Sequence, residues 1–145
     1  MTKKVVIAGT FDIIHPGHLF FIQNAAEYGE VHVIVARDST VERIKGKKPV
    51  IPEEQRRIVV EGLKGVTEAV LGNEGSDFLE KVVEINPDIV VLGPNQDVDE
   101  QNIANQFAEK GLNIPVIRIT QYLDNVPLYS STSIKQKIKE VCEFE

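Results

Sequence analysis

Two histidines, His15 and His18, stand three residues apart with Pro16 and Gly17 between them, shortly after the apolar run Val5-Val6-Ile7-Ala8. Pro16 presets the backbone angle that starts a helix. At a helix start, side chains three apart face the same way. The first turn also presents unpaired N–H groups and the positive end of the helix dipole. Two imidazoles beside free N–H donors make a place for phosphate oxygens. Gly9, ahead of them, lets the chain pass close to a ligand. The competing reading is a tight turn whose two histidines merely cap a helix. Asp12, in the same stretch, also has two readings. It acts on a ligand through a water, or it holds the Gly9–His15 turn by a hydrogen bond to the backbone.

A second polar run, Leu128-Tyr129-Ser130-Ser131-Thr132-Ser133-Ile134, opens the last helical pattern. Its hydroxyls and amides suit phosphate oxygens. As plain N-cap chemistry, the same residues simply start a helix. Arg43, Lys45, Lys47 and Lys48 form a basic cluster interrupted by Gly46. The sequence shows no metal cage of its own.

The elements that must position these residues alternate. Strands are expected at Lys4–Ala8, Val31–Ala36, Glu68–Leu71, Ile89–Leu92 and Val116–Ile119. Helices are expected at His18–Glu27, Glu53–Leu63, Asp77–Ile85, Asp99–Lys110 and Ser131–Val141. Pro52 leads into the second of these. Pro87 stops the third, and Gly111 ends the fourth. Residues 38–52 show no clear period. Most strands are nearly unbroken Val and Ile, the mark of strands buried on both faces of a parallel sheet. Strand–helix alternation implies right-handed crossovers and a doubly wound sheet. Such sheets bind ligands at the carboxyl ends of their strands, where strand order reverses.

The 145 residues fit one domain, and no apolar run is long enough to cross a bilayer. A net charge of −6 disfavours nonspecific nucleic-acid binding, so any phosphate site is local. The N-terminal apolar stretch is too short for a signal peptide, and the single cysteine, Cys142, has no internal partner. These features lead to the expectation of a cytoplasmic protein without a membrane or nucleic-acid partner.

The stretch from Gly9 to His18 resembles the signature GTFDxxHxGH of the cytidylyltransferase-like nucleotidyltransferases. Gly9, Thr10, Phe11, Asp12, His15, Gly17 and His18 fill its fixed positions. Residues 128–134 are similar to the second signature of that family, ISTSxI. The segments 8–18, 34–38, 44–49, 51–57 and 88–96 together are most similar to the archaeal FAD synthase branch. That branch transfers AMP from ATP to FMN, with release of pyrophosphate. The glycerol-3-phosphate cytidylyltransferases, the alternative enzyme reading, carry an arginine where this chain has Asn125. The third alternative is a nucleotide-binding module without turnover.

The resemblance implies a single doubly wound, Rossmann-like α/β domain over residues 1–145. It has a five-stranded parallel sheet in the order 3-2-1-4-5 and a C-terminal helix. It implies that His15, His18 and Lys45 act on the reacting phosphates. Thr10, Phe11, Gly17, Asn95, Asp97, Tyr129, Ser130, Ser131 and Thr132 fall on the nucleotide. Asp12 and Arg56 fall on the acceptor, with Arg57 as the alternative arginine. Phe11, Phe20, Phe21 and Tyr129 are the aromatic residues near the motifs that a flavin ring would use. A divalent cation, Mg²⁺, would accompany the triphosphate. Relatives of this kind often pair as homodimers.

Overall fold

Val5, Val6 and Ile7 are fully buried, as a strand covered on both faces requires. They belong to β1 (Lys4–Gly9), the centre of a parallel sheet with β2 (Glu30–Val35), β3 (Val66–Leu71), β4 (Ile89–Leu92) and β5 (Val116–Arg118). The order is β3-β2-β1-β4-β5. The computed structural model describes residues 2–75, 78–94, 96, 98–121, 123 and 125–142. Six helices connect or flank the strands: α1 (Pro16–Ala26), α2 (Asp38–Lys45), α3 (Glu53–Glu61), α4 (Phe78–Ile85), α5 (Glu100–Glu109) and α6 (Ser131–Val141). Among the described residues no helix is long and apolar enough to cross a membrane.

Alternate residues of each strand feed two cores. Val5, Ile7, Val33 and Val91 pack with Ile22 and Ala25 of α1 and Val60 of α3. Val6, Ile34, Val90 and Leu92 pack on the other face with Leu79 and Val82 of α4 and Ile103 and Phe107 of α5. Each Val, Leu, Ile or Phe among them contributes about 1.5–3 kcal/mol by leaving water. The architecture is the expected doubly wound α/β sheet with its C-terminal helix.

Two local differences from expectation matter for the site. Helix α1 begins at Pro16 rather than His18, so His15 is its N-cap. Helix α2 occupies a segment that shows no apolar period. It buries only Val41 and depends on its ends. Asp38 lies in its first turn, Arg43 and Lys45 in its last, and Gly46 closes it at φ 83°.

Candidate active site

The turn between β1 and α1 holds two non-glycine residues in the left-handed region, Phe11 at φ 55° and Ile13 at φ 52°. Each such residue costs on the order of 1–3 kcal/mol, so the surrounding structure must over-determine the turn. Phe11 does so by burial, being 4% exposed. Asp12 does so by hydrogen bonds. Its carboxylate accepts the N–H groups of Val50 at 2.8 Å and Ile51 at 2.9 Å. Lys135 Nζ of α6 lies 3.3 Å from the same group. The Ser131 hydroxyl donates to the Asp12 carbonyl.

This turn delivers the histidines in a reciprocal cap. His15 Nδ1 accepts the Gly17 N–H at 3.1 Å, and His18 Nδ1 accepts the His15 N–H at 3.2 Å. The ring centroids are 3.9 Å apart. A nitrogen that accepts carries no proton, so each neutral ring bears its proton on Nε2. Among the described residues neither Nε2 has a protein partner, and neither is sealed from solvent. Burial lowers both pKa values, and His18 is pushed down to about 4, with His15 adding to the shift and Asp12 opposing it. At neutral pH the pair therefore offers two uncharged N–H donors.

Helix α6 meets the start of α1 closely. A Cβ on Gly17 would lie 2.7 Å from the Tyr129 carbonyl oxygen and 2.8 Å from His15 Cε1, so only glycine fits there. Ser130 and Ser133 form a capping box at the start of α6. Among the described residues the Ser131 and Thr132 amides have no protein acceptor. Two helix N-termini thus converge beside the imidazoles, and both favour anions.

The structure brings Gly17, Ser130, Ser131 and Thr132 to this place, with Tyr129 beside them and 53% exposed, while Thr10 starts the same turn with its carbonyl on Arg56. Three expected roles are corrected. Phe11 is core, its ring 5.3 Å from that of His18, so it supports the histidine and offers a ligand only backbone. Arg56 is 1% exposed. Its guanidinium donates to the carbonyls of Ile51, Thr10 and Ala36 and pairs with Asp38 at 2.7 Å, which leaves it unable to reach an acceptor. The Asp12 carboxylate is 4% exposed and filled by its protein partners, so it holds the turn instead of the acceptor. Arg57 pairs with Glu54 at 2.7 Å on the surface of α3. Lys45 is exposed at the end of α2, and the link from Gly46 is fastened at Val50 to Asp12. Asn95 and Asp97 lie outside the described residues.

Sequence reasoning missed Lys135, Gln96 and Arg118. Arg118 left a signal, a charge inside an expected buried strand. Gln96 and Lys135 left none. Among the described residues no cluster of His, Cys, Asp or Glu offers a metal cage, and Asp12 is already occupied by its protein partners. A cavity of about 60 Å³ lies at the strand ends between Ala8, Ile34, Arg37 and Phe78. The larger one, about 260 Å³, lies between Lys4, His32, Glu68 and Lys81 and includes no motif residue.

A switch-point crevice with paired histidines and two helix N-termini defines a nucleotidyltransferase-like phosphate site. The chain belongs to the cytidylyltransferase-like family, whose model matches residues 6–137. Curated relatives named FAD synthase include one from Methanocella arvoryzae, 45% identical over 97% of this chain and 98% of its own. Another, from Methanothermus fervidus, is 48% identical over 92% of each. A solved structure, a lipopolysaccharide core biosynthesis protein from Thermoplasma volcanium, is 37% identical and superposes with a TM-score of 0.80 over 85% of this chain and 100% of its own.

Proposed function

We propose that this chain is an FAD synthase, transferring AMP from ATP to FMN and releasing pyrophosphate. The observation that carries the reading is the histidine pair. Both Nδ1 atoms are tied to backbone N–H groups, so both Nε2–H groups face outward as donors. The substrates follow from the FAD synthase relatives, which align over nearly the whole chain.

An oxygen of the FMN phosphate attacks the α-phosphorus of ATP in line. A new P–O bond forms as the α–β bridging bond breaks, and its electrons leave on pyrophosphate. The nucleophile is already ionised at neutral pH, so no strong base is needed. The protein aligns two anions and stabilises the charge that develops. His15 and His18 donate from Nε2. The α1 and α6 N-termini add backbone donors. Exposed Lys45 adds positive charge from the end of α2. A Mg²⁺ ion, bound by the triphosphate rather than by a protein cage, would supply charge screening. The enzyme acts in the cytoplasm.

The test is pyrophosphate release with Mg²⁺, crossing ATP and CTP against FMN and glycerol 3-phosphate. Release only with ATP and FMN, with FAD as product, is the expected result. Release only with CTP and glycerol 3-phosphate would overturn it.

A further inference from the structure

Helix α6 buries none of its residues. Ile138 and Val141 are exposed on it, so apolar packing does little to aim the helix. Its start nevertheless stands beside the histidines, where the Tyr129 carbonyl packs against Gly17. A helix held only at its first residue can pivot, and its terminal N–H groups then lose their aim. Something other than a core must fix the direction of α6.

Asp12 supplies two fixed points. Its carbonyl accepts the Ser131 hydroxyl, and its carboxylate lies 3.3 Å from the Lys135 ammonium. Ser131 and Lys135 are four apart, so they share one face of the helix. Their two contacts stand ~6 Å apart along the axis, about one turn. Two such points define a direction, and one does not. The anchor does not depend on α6. Asp12 is 4% exposed, and the N–H groups of Val50 and Ile51 also hold its carboxylate. The Lys135 charge is therefore spent on a buried group of the histidine turn.

We infer that Lys135 is a positioning residue: through Asp12 it sets the direction of α6, and so aims the unpaired Ser131 and Thr132 amides at the triphosphate. Lys135 itself does not touch the phosphates. This rests on the reading of the crevice as a phosphate site. The same carboxylate fastens Val50 and Ile51 after the basic cluster, so one side chain brings three elements into register.

The experiment is a double-mutant cycle of Lys135→Met and Asp12→Asn, read by calorimetry with magnesium pyrophosphate and by kcat. Lys135→Met keeps an unbranched stem and loses the ammonium. In the otherwise wild-type protein it is expected to weaken pyrophosphate binding and lower kcat, each about tenfold. In the Asp12→Asn background the same substitution is expected to change both by less than about twofold, because its partner is gone. Lys135→Arg, which keeps a cation for the carboxylate, is expected to restore most of the loss. A full tenfold loss in the Asp12→Asn background would mean that Lys135 acts on phosphate directly, and would overturn the inference. A Lys135→Met protein that melts early but binds and turns over like wild type would overturn it too. Where Asp12→Asn melts below the assay temperature, the ligand-free amide spectrum decides. Lys135→Met should move the Ser131 and Thr132 amide signals before pyrophosphate is added, and unmoved signals would sink the inference. A wild type that binds pyrophosphate but does not adenylylate FMN would remove the proposed function. The binding cycle then still tests the positioning role.

Discussion

The Asp12 carboxylate lies 3.3 Å from the Lys135 ammonium while the backbone N–H groups of Val50 and Ile51 donate to the same group. One side chain thus joins the histidine turn, the segment after the basic cluster, and α6. Burial works against its charge, but the two N–H groups and Lys135 outweigh that and hold its carboxyl below the usual range. A carboxylate with a lowered folded pKa contributes stability above its unfolded pKa and loses it as pH falls through the folded one. Asp12→Asn turns an NH₂ group towards donors. It should cost about 2 kcal/mol in urea denaturation at neutral pH, and the deficit should shrink in acid, where wild type also loses the charge. An equal deficit at all pH values would remove the ionic account.

His15 and His18 divide their nitrogens between two tasks. Asparagine places an oxygen near the Nδ1 position, so His18→Asn keeps the acceptor for the His15 N–H and deletes the Nε2 donor. The variant should melt with wild type yet lose about 10²–10³ in turnover. Turnover near that of wild type would remove His18 from the mechanism.

The same substitution tests the lowered pKa of His18. Folded, the ring takes its proton at about 4, well below the ordinary imidazole value of 6.5. Between those values the unfolded chain binds more protons. The neutral ring's contribution is complete above 6.5 and is lost as pH falls towards 4. His18→Asn has no such loss. Denaturation at about pH 7.5 and about pH 4.5 should show similar stability at the first and a more stable variant at the second. Parallel losses would show that other groups govern the acid limb.

How much of this was legible depended on what each residue's type reveals. Val90 and Val91 announce a strand buried on both faces because nothing else accounts for such a run. The histidine turn was legible because Gly9, Pro16 and Gly17 each have a steric reason to be where they are. Helix α2 was hidden because Val41 is its one buried residue, so no apolar stripe marks it. Arg56 and Arg57 are adjacent and alike in sequence. Only the packed structure separates the buried anchor from the surface pair, because the difference lies in carbonyls contributed by Thr10 and Ala36. Gln96 reaches Ala8 across 88 positions, and a single glutamine in a loop carries no mark of that.

Gly17 and Gly111 separate close packing from backbone freedom. A Cβ at Gly111 meets nothing within 4 Å, although its φ of 75° disfavours a side chain. Gly111→Ala should cost about 1 kcal/mol and leave turnover unchanged. Gly17→Ala drives a methyl into the Tyr129 carbonyl at 2.7 Å, and backbone cannot swing aside as a flexible side chain can. It should push the start of α6 away from α1 and lower turnover far more than stability.

Arg56 gives the sharpest contrast with the expectation drawn from sequence. An acceptor-binding arginine, once removed, raises the KM for FMN and leaves the fold alone. A buried arginine that ties Thr10, Ala36, Ile51 and Asp38 together leaves those groups without partners when it goes. Arg56→Met should therefore cost about 3 kcal/mol, read in denaturant melts. Lys45→Ala, by contrast, should leave the melt unchanged, because Lys45 is exposed, and should weaken turnover if its charge serves the phosphates as proposed. An Arg56→Met protein with wild-type stability and a raised KM for FMN would return Arg56 to the acceptor.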